Sequence, residues 1–311
     1  MSLERALELA ADAAGRAYPK PTIGAVLVRD GQVVGEGVTD AGGRHGEIVA
    51  LEEAGDRARG AALYLTMEPC AHQGSTSPCV EAVLAAGVSR VVAGSLDPNP
   101  EAAGGLEWLR AAGLDAELVD SFAARAQNEA WRTWIAHGRP FVTLKVAVTL
   151  DGRVTVPGER WVTGPESRRQ VHELRATSDA VAVGMGTVRA DAPQLDARDV
   201  PAQRQPRRLA FGRGPLPEGS ELELLTGPLE EELAALARDG VQSLLLEGGP
   251  TLAGAFLRAG LVDKLLLFVA PRLSGAGPGL LDALAEPLSL TRLRSRQIGD
   301  DVLLEAYVRE P

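Results

Sequence analysis

The stretch Glu68–Cys79, EPCAHQGSTSPC, decides how the first part of this chain folds. It holds both cysteines of the chain, Cys70 and Cys79, each directly after a proline and separated by a segment rich in Gly, Ser and Thr. The apolar run before it (61–66) is typical of a buried strand, and the run after it is typical of a helix. We therefore expect one cysteine near a strand end and the other at a helix start, where the helix dipole favours a thiolate.

A histidine and a glutamate upstream complete a set of metal-binding and proton-transferring groups. His45 and Glu47 stand at the start of a segment whose apolar residues have helical spacing. One imidazole and two thiolates make a three-ligand zinc set with an open fourth position, as in catalytic zinc sites. Glu47 can reach a water at that position and carry its proton to a leaving amine. H-x-E followed by two P-C pairs favours a zinc-dependent deaminase.

Two other interpretations of these residues stay open at this point. Cys70 and Cys79 could be buried core residues beside an unrelated histidine. Alternatively, the site could be a closed structural zinc site with His72 as a fourth ligand, although such a site would give Glu47 no role.

The composition limits the class of protein. With 311 residues, 45% of them hydrophobic, the chain is long enough for two well-packed domains. It has no run of about 20 apolar residues, and its start is typical of an amphipathic helix rather than a signal peptide. We therefore expect a cytoplasmic protein without a membrane span or a structural disulfide. The net charge of −10 argues against nucleic-acid binding but not against a small anionic substrate.

Strand and helix patterns alternate in the first part of the chain. Two apolar runs around Asp30-Gly31 predict a hairpin, and one long helix is expected over 121–138. The alternation predicts a mainly parallel sheet with helices on its faces. We place a domain boundary after Gly138, because glycine ends the helix there and Pro140 cannot continue it. The predicted domains are residues 1–138 and 139–311.

The second domain alternates again and has Gly-rich turns after two of its strands. Strands are expected at 179–184, 206–211, 241–248, 263–271 and 300–308, and helices at 165–176, 229–239 and 250–260. Gly184 and Gly186 follow one strand, and Gly248 and Gly249 follow another. Such turns let backbone N–H groups approach phosphates or a cofactor, but they do not match a dinucleotide fingerprint. The residues alone therefore do not specify the cofactor.

Together these motifs resemble those of the bifunctional riboflavin-biosynthesis deaminase/reductase family. The deaminase half is carried by H-G-E and by the eight-residue gap between the two cysteines in EPCAHQGSTSPC. The reductase half is carried by LKVAVTLDGRV, WVTGPESRRQVHELRA and EGGPTLAGAFLRAG. The resemblance spans nearly the whole chain. It implies an α/β protein, with a cytidine-deaminase-like α/β/α domain followed by a dihydrofolate-reductase-like α/β domain.

The resemblance also implies cofactors, substrates and site residues. His45, Cys70 and Cys79 would bind Zn²⁺, and Glu47 would shuttle protons while a diamino-ribosylamino-pyrimidinone 5′-phosphate loses its C2 amine. NADPH would then reduce the opened ribose to a ribityl chain. Residues that would line the NADPH site are Ala147, Trp161, Thr187, Asp191, Gly249, Pro250, Thr251, Leu252, Ala253, Gly254 and Ala255. Residues that would hold the phosphorylated substrate are Arg175, Leu195, Arg198 and Glu247. A homo-oligomer is plausible on the same ground.

Some residues depart from the family pattern or match no motif. Lys20 stands where the family usually has Asn, Ser75 stands where it usually has Arg, and Gly46 turns the common H-A-E into H-G-E. These departures leave an alternative in which one activity is retained and the other domain acts as a scaffold. His137 lies at the domain junction and matches no motif, and His172 lies on a predicted helix; both are interpreted as structural.

Overall fold

The computed structural model describes residues 2–72 and 78–311. The chain divides into two compact units, one of residues 1–137 with Pro311 and one of residues 138–310. Ser75 lies outside the described residues. Within them, no helix combines the length and the apolar character needed to cross a membrane.

The first unit is built on a single mixed sheet. Its elements are α1 (Ser2–Asp12), β1 (Gly24–Arg29), β2 (Gln32–Val38), α2 (Gly46–Ala54), β3 (Ala62–Leu65), α3 (Cys79–Ala85), β4 (Arg90–Ala93), α4 (Gly105–Ala111), β5 (Asp115–Leu118), α5 (Phe122–Gln127) and α6 (Glu129–His137). The strand order is β2-β1-β3-β4-β5. Strands β3, β4 and β5 run parallel, but β1 is antiparallel to both β2 and β3. Strands β2, β3, β4 and β5 therefore run in one direction, as a mainly parallel sheet requires, and β1 of the hairpin is the reversed strand among those described.

The hairpin itself is where the sequence predicts it. Asp30 and Gly31 have φ values of 51° and 77°, and Arg29 pairs with Gln32 across the turn. Positive φ at both central residues is what a type I′ turn requires, and Asp-Gly adopts it readily. The predicted amphipathic helix at the start of the chain is also present, as α1.

The single helix predicted over 121–138 is wrong, because the helix is interrupted at Asn128. There the backbone has φ −120° and ψ 32°, so α5 ends and α6 begins anew. The Asn128 side chain pairs with the backbone of Thr22: Thr22 N donates to Oδ1 over 2.9 Å, and Nδ2 donates to Thr22 O over 3.0 Å. This reciprocal pair satisfies the backbone just before β1 and offsets the interrupted helix bonding.

Helix α2 lies directly on the β1–β2 hairpin, because glycines remove the side chains that would separate them. A Cβ added to Gly37 would lie 2.2 Å from the carbonyl oxygen of Gly46. A Cβ added to Gly46 would lie 2.3 Å from the carbonyl oxygen of Ile23 and 3.2 Å from the Cα of Val38. These neighbours are backbone atoms, so they have little room to move. The start of α2 is therefore held at a fixed height above the sheet.

The second unit contains a larger sheet that is parallel through its centre. Its elements are β6 (Phe141–Thr149), α7 (Pro165–Thr177), β7 (Ala180–Gly184), α8 (Met185–Asp191), β8 (Arg207–Phe211), β9 (Glu223–Leu225), α9 (Leu229–Arg238), β10 (Ser243–Leu246), α10 (Pro250–Arg258), β11 (Lys264–Ala270), β12 (Thr291–Ile298) and β13 (Asp301–Tyr307). The order is β12-β13-β11-β6-β10-β7-β8-β9, parallel from β11 to β9, with β13 and β12 added antiparallel. The predicted strands and helices of this unit are present. Strand β12 was not predicted, because its residues are exposed except the last and show no apolar alternation.

A buried carboxylate fixes the start of α7, the helix that borders the cavity of this unit. Asp301 accepts hydrogen bonds from Gly164 N over 2.8 Å and from Ser167 Oγ over 2.6 Å. It thereby binds the N–H of Gly164, the residue just before the helix, and the hydroxyl of Ser167 in its first turn. The carboxylate comes from β13, so helix and sheet are held in register.

Candidate functional site

His45, Cys70 and Cys79 converge on one point of the first unit. Their potential ligand atoms all lie within 4.8 Å of one another. His45 Nδ1 is 3.1 Å from Cys79 Sγ and 3.7 Å from Cys70 Sγ. Both cysteines are buried, and neither forms a disulfide. Two sulfurs and an imidazole nitrogen in this arrangement are a donor set that suits zinc.

Three different elements bring these ligands together. His45 is the extended residue that caps α2, and its carbonyl accepts the Ile48 N–H over 3.1 Å. Cys70 lies on the loop after β3, and Cys79 is the first residue of α3. The Cys79 N–H donates to Cys70 Sγ over 3.4 Å, so the helix start supports the thiolate next to it. The expected positions of both cysteines are confirmed.

Glu68 anchors the loop that carries Cys70. Its buried carboxylate accepts backbone N–H groups from Asp97 over 3.1 Å and from Leu106 over 3.1 Å. Ala71 N also donates to Ala102 O over 3.0 Å, so two segments of the unit are tied together beside the ligand. No role for Glu68 was predicted, because these partners lie 29 and 38 positions further along the chain.

The two thiols hold one proton between them. The hydrogen bond from Cys79 lowers the pKa of Cys70 to about 4, and the same bond together with burial raises the pKa of Cys79. The hydrogen bond to Cys70 also raises the pKa of His45. At neutral pH the pair is therefore one thiolate and one thiol, and a divalent cation would displace the remaining proton.

Glu47 lies beside the ligands but is not one of them. Its side chain is 4% exposed, its Oε1 is 3.9 Å from His45 Nδ1, and burial raises its pKa. A carboxyl group with a raised pKa can both accept and release a proton near neutral pH. In the described part of the chain, the ligand cluster contains neither Glu47 nor His72.

The second unit holds a cavity of about 1030 Å³, large enough for a cofactor and a substrate. Its wall includes most of the residues that the sequence assigns to the reductase site: Ala147, Trp161, Arg175, Thr187, Asp191, Arg198, Glu247 and Gly249–Leu252. Leu195, Ala253, Gly254 and Ala255 are outside the wall. The helix predicted after Gly249 is confirmed and begins at Pro250.

A buried ion cluster lies in this wall. Arg175 donates to Glu247 from Nε to Oε1 over 2.6 Å and from Nη2 to Oε2 over 3.1 Å. Lys145 Nζ donates to the same Oε2 over 3.3 Å. Burial alone would raise the pKa of Glu247, but the charges of Lys145 and Arg175 outweigh it and lower the pKa to about 2. Glu247 is therefore ionised and holds the Arg175 guanidinium in one orientation.

Lys145 and His172 are among the wall residues that had no predicted part in the site. Lys145 stands two residues before Ala147 on β6, and His172 stands three residues before Arg175 on α7. Strand and helix periodicity place each on the same face as its partner, and this signal was readable in the sequence. His172, interpreted as structural, has its Nδ1 3.2 Å from Asp196 O, and burial lowers its pKa.

The cavity lies at the carboxyl ends of the parallel strands β7 and β10, where open α/β sheets bind ligands. A zinc-type Cys/His cluster in one α/β unit and such a cavity in the next define a deaminase of the cytidine type joined to a reductase. Residues 1–95 match the cytidine and deoxycytidylate deaminase zinc-binding region, and residues 140–304 match the RibD C-terminal domain. The chain belongs to the RibD family, whose members are bifunctional deaminase/reductases of riboflavin biosynthesis that use zinc and NADPH.

Similar proteins match along nearly their whole length. The riboflavin biosynthesis protein RibD of Mycobacterium tuberculosis is 40% identical, with 98% of this chain and 96% of that protein covered. The structure of Acinetobacter baumannii RibD is 34% identical with a TM-score of 0.83, and 98% of each chain is covered. A structure from Thermotoga maritima is 31% identical with a TM-score of 0.82, covering 98% of this chain and 97% of the other. The alternative of a single retained activity is not favoured, because both domain models match.

Proposed function

We propose that the first unit removes the C2 amine of 2,5-diamino-6-ribosylamino-4(3H)-pyrimidinone 5′-phosphate by hydrolysis, and that the second reduces the ribosyl group of the product to ribityl. The convergence of His45, Cys70 and Cys79 beside a buried Glu47 carries this proposal. The Thermotoga maritima relative is described as a diaminohydroxyphosphoribosylaminopyrimidine deaminase/5-amino-6-(5-phosphoribosylamino)uracil reductase, which is the same pair of reactions. We assign the deaminase to residues 1–138 and the reductase to residues 139–311.

In the deaminase site, His45, Cys70 and Cys79 would hold the zinc ion. Bound zinc lowers the pKa of a coordinated water to near neutrality. Glu47 would take the proton of the attacking water and deliver it to the leaving amine. Its burial suits this role, because burial raises the pKa of the carboxyl group and so makes it a stronger proton acceptor than an exposed glutamate.

In the reductase site, Ala147, Trp161, Thr187, Asp191 and Gly249–Leu252 would contact NADPH, which supplies the hydride. Arg175 and Arg198 would bind the phosphorylated substrate, because a guanidinium group matches phosphate oxygens in pairs. Glu247 would orient Arg175 through their paired hydrogen bonds. For the residues outside the wall of the cavity we propose a supporting role: Leu195, Ala253, Gly254 and Ala255.

We infer further that the enzyme works in the cytoplasm as a homo-oligomer, without a nucleic-acid or membrane partner. The pair of unbridged cysteines supports the cytoplasmic location. The net charge of −10 supports the absence of a nucleic-acid partner. The oligomer rests on the family resemblance alone.

The test is to change Glu47 and assay each half-reaction. Glu47→Gln should retain zinc but lose ammonia release by about 100-fold or more, because the group that moves the proton is gone. NADPH oxidation with the deaminated intermediate should continue at the wild-type rate. Glu52→Gln on the same helix is the matched control and should retain both activities. Ammonia release at the wild-type rate by Glu47→Gln would refute the assignment.

A further inference from the structure

Trp161 has two guanidinium groups against its ring in the wall of the reductase cavity. The residue is 47% exposed, so its ring remains accessible from the cavity. The Cζ of Arg160 is 4.9 Å from the ring centroid, and the Cζ of Arg168 is 5.3 Å from it. Both arginines line the same cavity. Two cations and an aromatic face are thus gathered at one place.

Neither of these arginines is neutralised by a carboxylate among the described residues. Arg168 Nη1 donates to the carbonyl oxygen of Thr163 over 2.7 Å, which fixes the guanidinium group without cancelling its charge. Within residues 2–72 and 78–311, the Arg160 guanidinium lies against the Trp161 ring. The adjacent Glu159 is bound by Arg272 over 2.6 Å.

Two like charges this close to one ring repel each other, and the ring face offsets only part of that repulsion. An anion in contact with both would stabilise the arrangement, and phosphate matches the guanidinium fork. The two arginines proposed above for the substrate differ in this respect. Arg175 is bound to Glu247 over 2.6 Å, and Arg198 is bound to Asp196 over 2.6 Å.

We propose that Arg160 and Arg168, held around Trp161, form a second phosphate-binding site of the reductase cavity, separate from Arg175 and Arg198. This inference rests on the proposed reductase function, which brings two phosphorylated molecules into one cavity. The ligand is a phosphate group of either NADPH or the ribosyl-phosphate substrate. Trp161 contacts the molecule whose phosphate the arginines bind.

The experiment measures equilibrium binding to the full-length protein by calorimetry and by the fluorescence of bound dinucleotide. The ligands are NADPH, NADH and ribose 5-phosphate, and the proteins are the wild type, Arg160→Gln, Arg168→Gln and the control Arg238→Gln at the end of α9. Both cavity variants should bind at least one phosphate ligand about tenfold more weakly or worse. Arg238→Gln should bind as the wild type does.

The pattern of losses identifies the source of the phosphate. Weaker NADPH binding, with or without weaker NADH binding, assigns the site to the cofactor; weaker ribose 5-phosphate binding alone assigns it to the substrate. Arg160→Lys and Arg168→Lys keep the positive charge but lack the paired N–H donors of the guanidinium group. They should lose less phosphate affinity than the Gln variants, which distinguishes an effect on binding from an effect on folding. Unchanged affinity for all three ligands would overturn the inference. Failure of the proposed reductase function is a different result, because the wild type itself would then not bind NADPH.

Discussion

Glu247 is ionised although burial by itself raises the pKa of its carboxyl group. Lys145 and Arg175 lie within hydrogen-bonding distance of its carboxylate, and together they lower its pKa to about 2. Removing one member of such a cluster leaves the others buried and unpaired, which costs more than the cluster itself contributes. The charge of Glu247 therefore matters to the stability of the second unit as well as to its site.

The depressed pKa of Glu247 gives a prediction about acid stability. Its folded pKa lies below its unfolded value, so the stabilisation is present above about pH 4.5 and is lost as the pH falls towards 2. Glu247→Gln should unfold more easily than the wild type at pH 6, by a free energy of the order of 3 kcal/mol. The difference should shrink as the pH falls to 3. Urea unfolding at both pH values measures it, and a difference that grows towards low pH contradicts the prediction.

Gly46 is a second residue whose effect can be predicted from its surroundings. Gly46→Ala puts a methyl group 2.3 Å from the Ile23 carbonyl oxygen, so the start of α2 must shift and with it His45 and Glu47. We expect a loss of about 1 to 3 kcal/mol in stability and a weaker zinc affinity. Thermal unfolding and metal titration measure the two effects. Gly279→Ala, where nothing lies within 4 Å of the added Cβ, is the control and should change neither.

The convergence of His45, Cys70 and Cys79 beside Glu47 was predictable from the sequence, whereas the ion cluster of the cavity was predictable only in part. Short motifs contain His45, Cys70 and Cys79, and a histidine with two cysteines in such motifs is typical of a metal site. Lys145 meets Glu247 only because β6 and β10 pair in parallel with Leu144 opposite Leu246. That register is a property of the folded sheet, so the contact could not be read from either segment alone.

At the scale of elements, sequence patterns predicted the helices and turns whose geometry depends on neighbouring residues. The Asp30-Gly31 turn gave the hairpin correctly, because its two residues determine the turn geometry. The break between α5 and α6 was missed, since Asn128 pairs with Thr22, which is 106 positions away. A helix pattern alone cannot reveal a competing partner at that distance.

Asn128→Ala separates the two explanations of this break. If the distant pairing matters, the variant should lose about 1 to 3 kcal/mol, because the N–H and C=O of Thr22 lose their partner. If local propensity were the cause, the variant would be more stable, since Ala favours a helix more than Asn does. Chemical unfolding measures the sign. Asn128→Asp keeps the acceptor and loses the donor, so its free energy of unfolding should lie between those of the wild type and Asn128→Ala.

At the scale of the whole molecule, the two candidate sites belong to two units, each with its own sheet and core. The order of the two activities along the chain was predictable, because each half carries its own motifs. The large cavity of the second unit was not, because it is bounded by residues from many separate segments, from Lys145 to Pro278.

This division predicts the result of removing the metal. Treatment with a chelator should abolish ammonia release but leave the affinity for NADPH within about twofold, because the ligand cluster and the cavity share no residue. Dinucleotide fluorescence before and after chelation measures the affinity. A tenfold loss of NADPH affinity would show that the two sites are coupled.

The single proton shared by Cys70 and Cys79 has a practical consequence for such work. Without metal, the protein carries at neutral pH a thiolate within 4.8 Å of a second sulfur, a pair that is open to oxidation. Air can then oxidise the two sulfurs to a disulfide, which cannot bind the metal until it is reduced. Preparations that exchange or remove the metal therefore need a reductant from the first step, whereas a bound zinc ion protects both sulfurs.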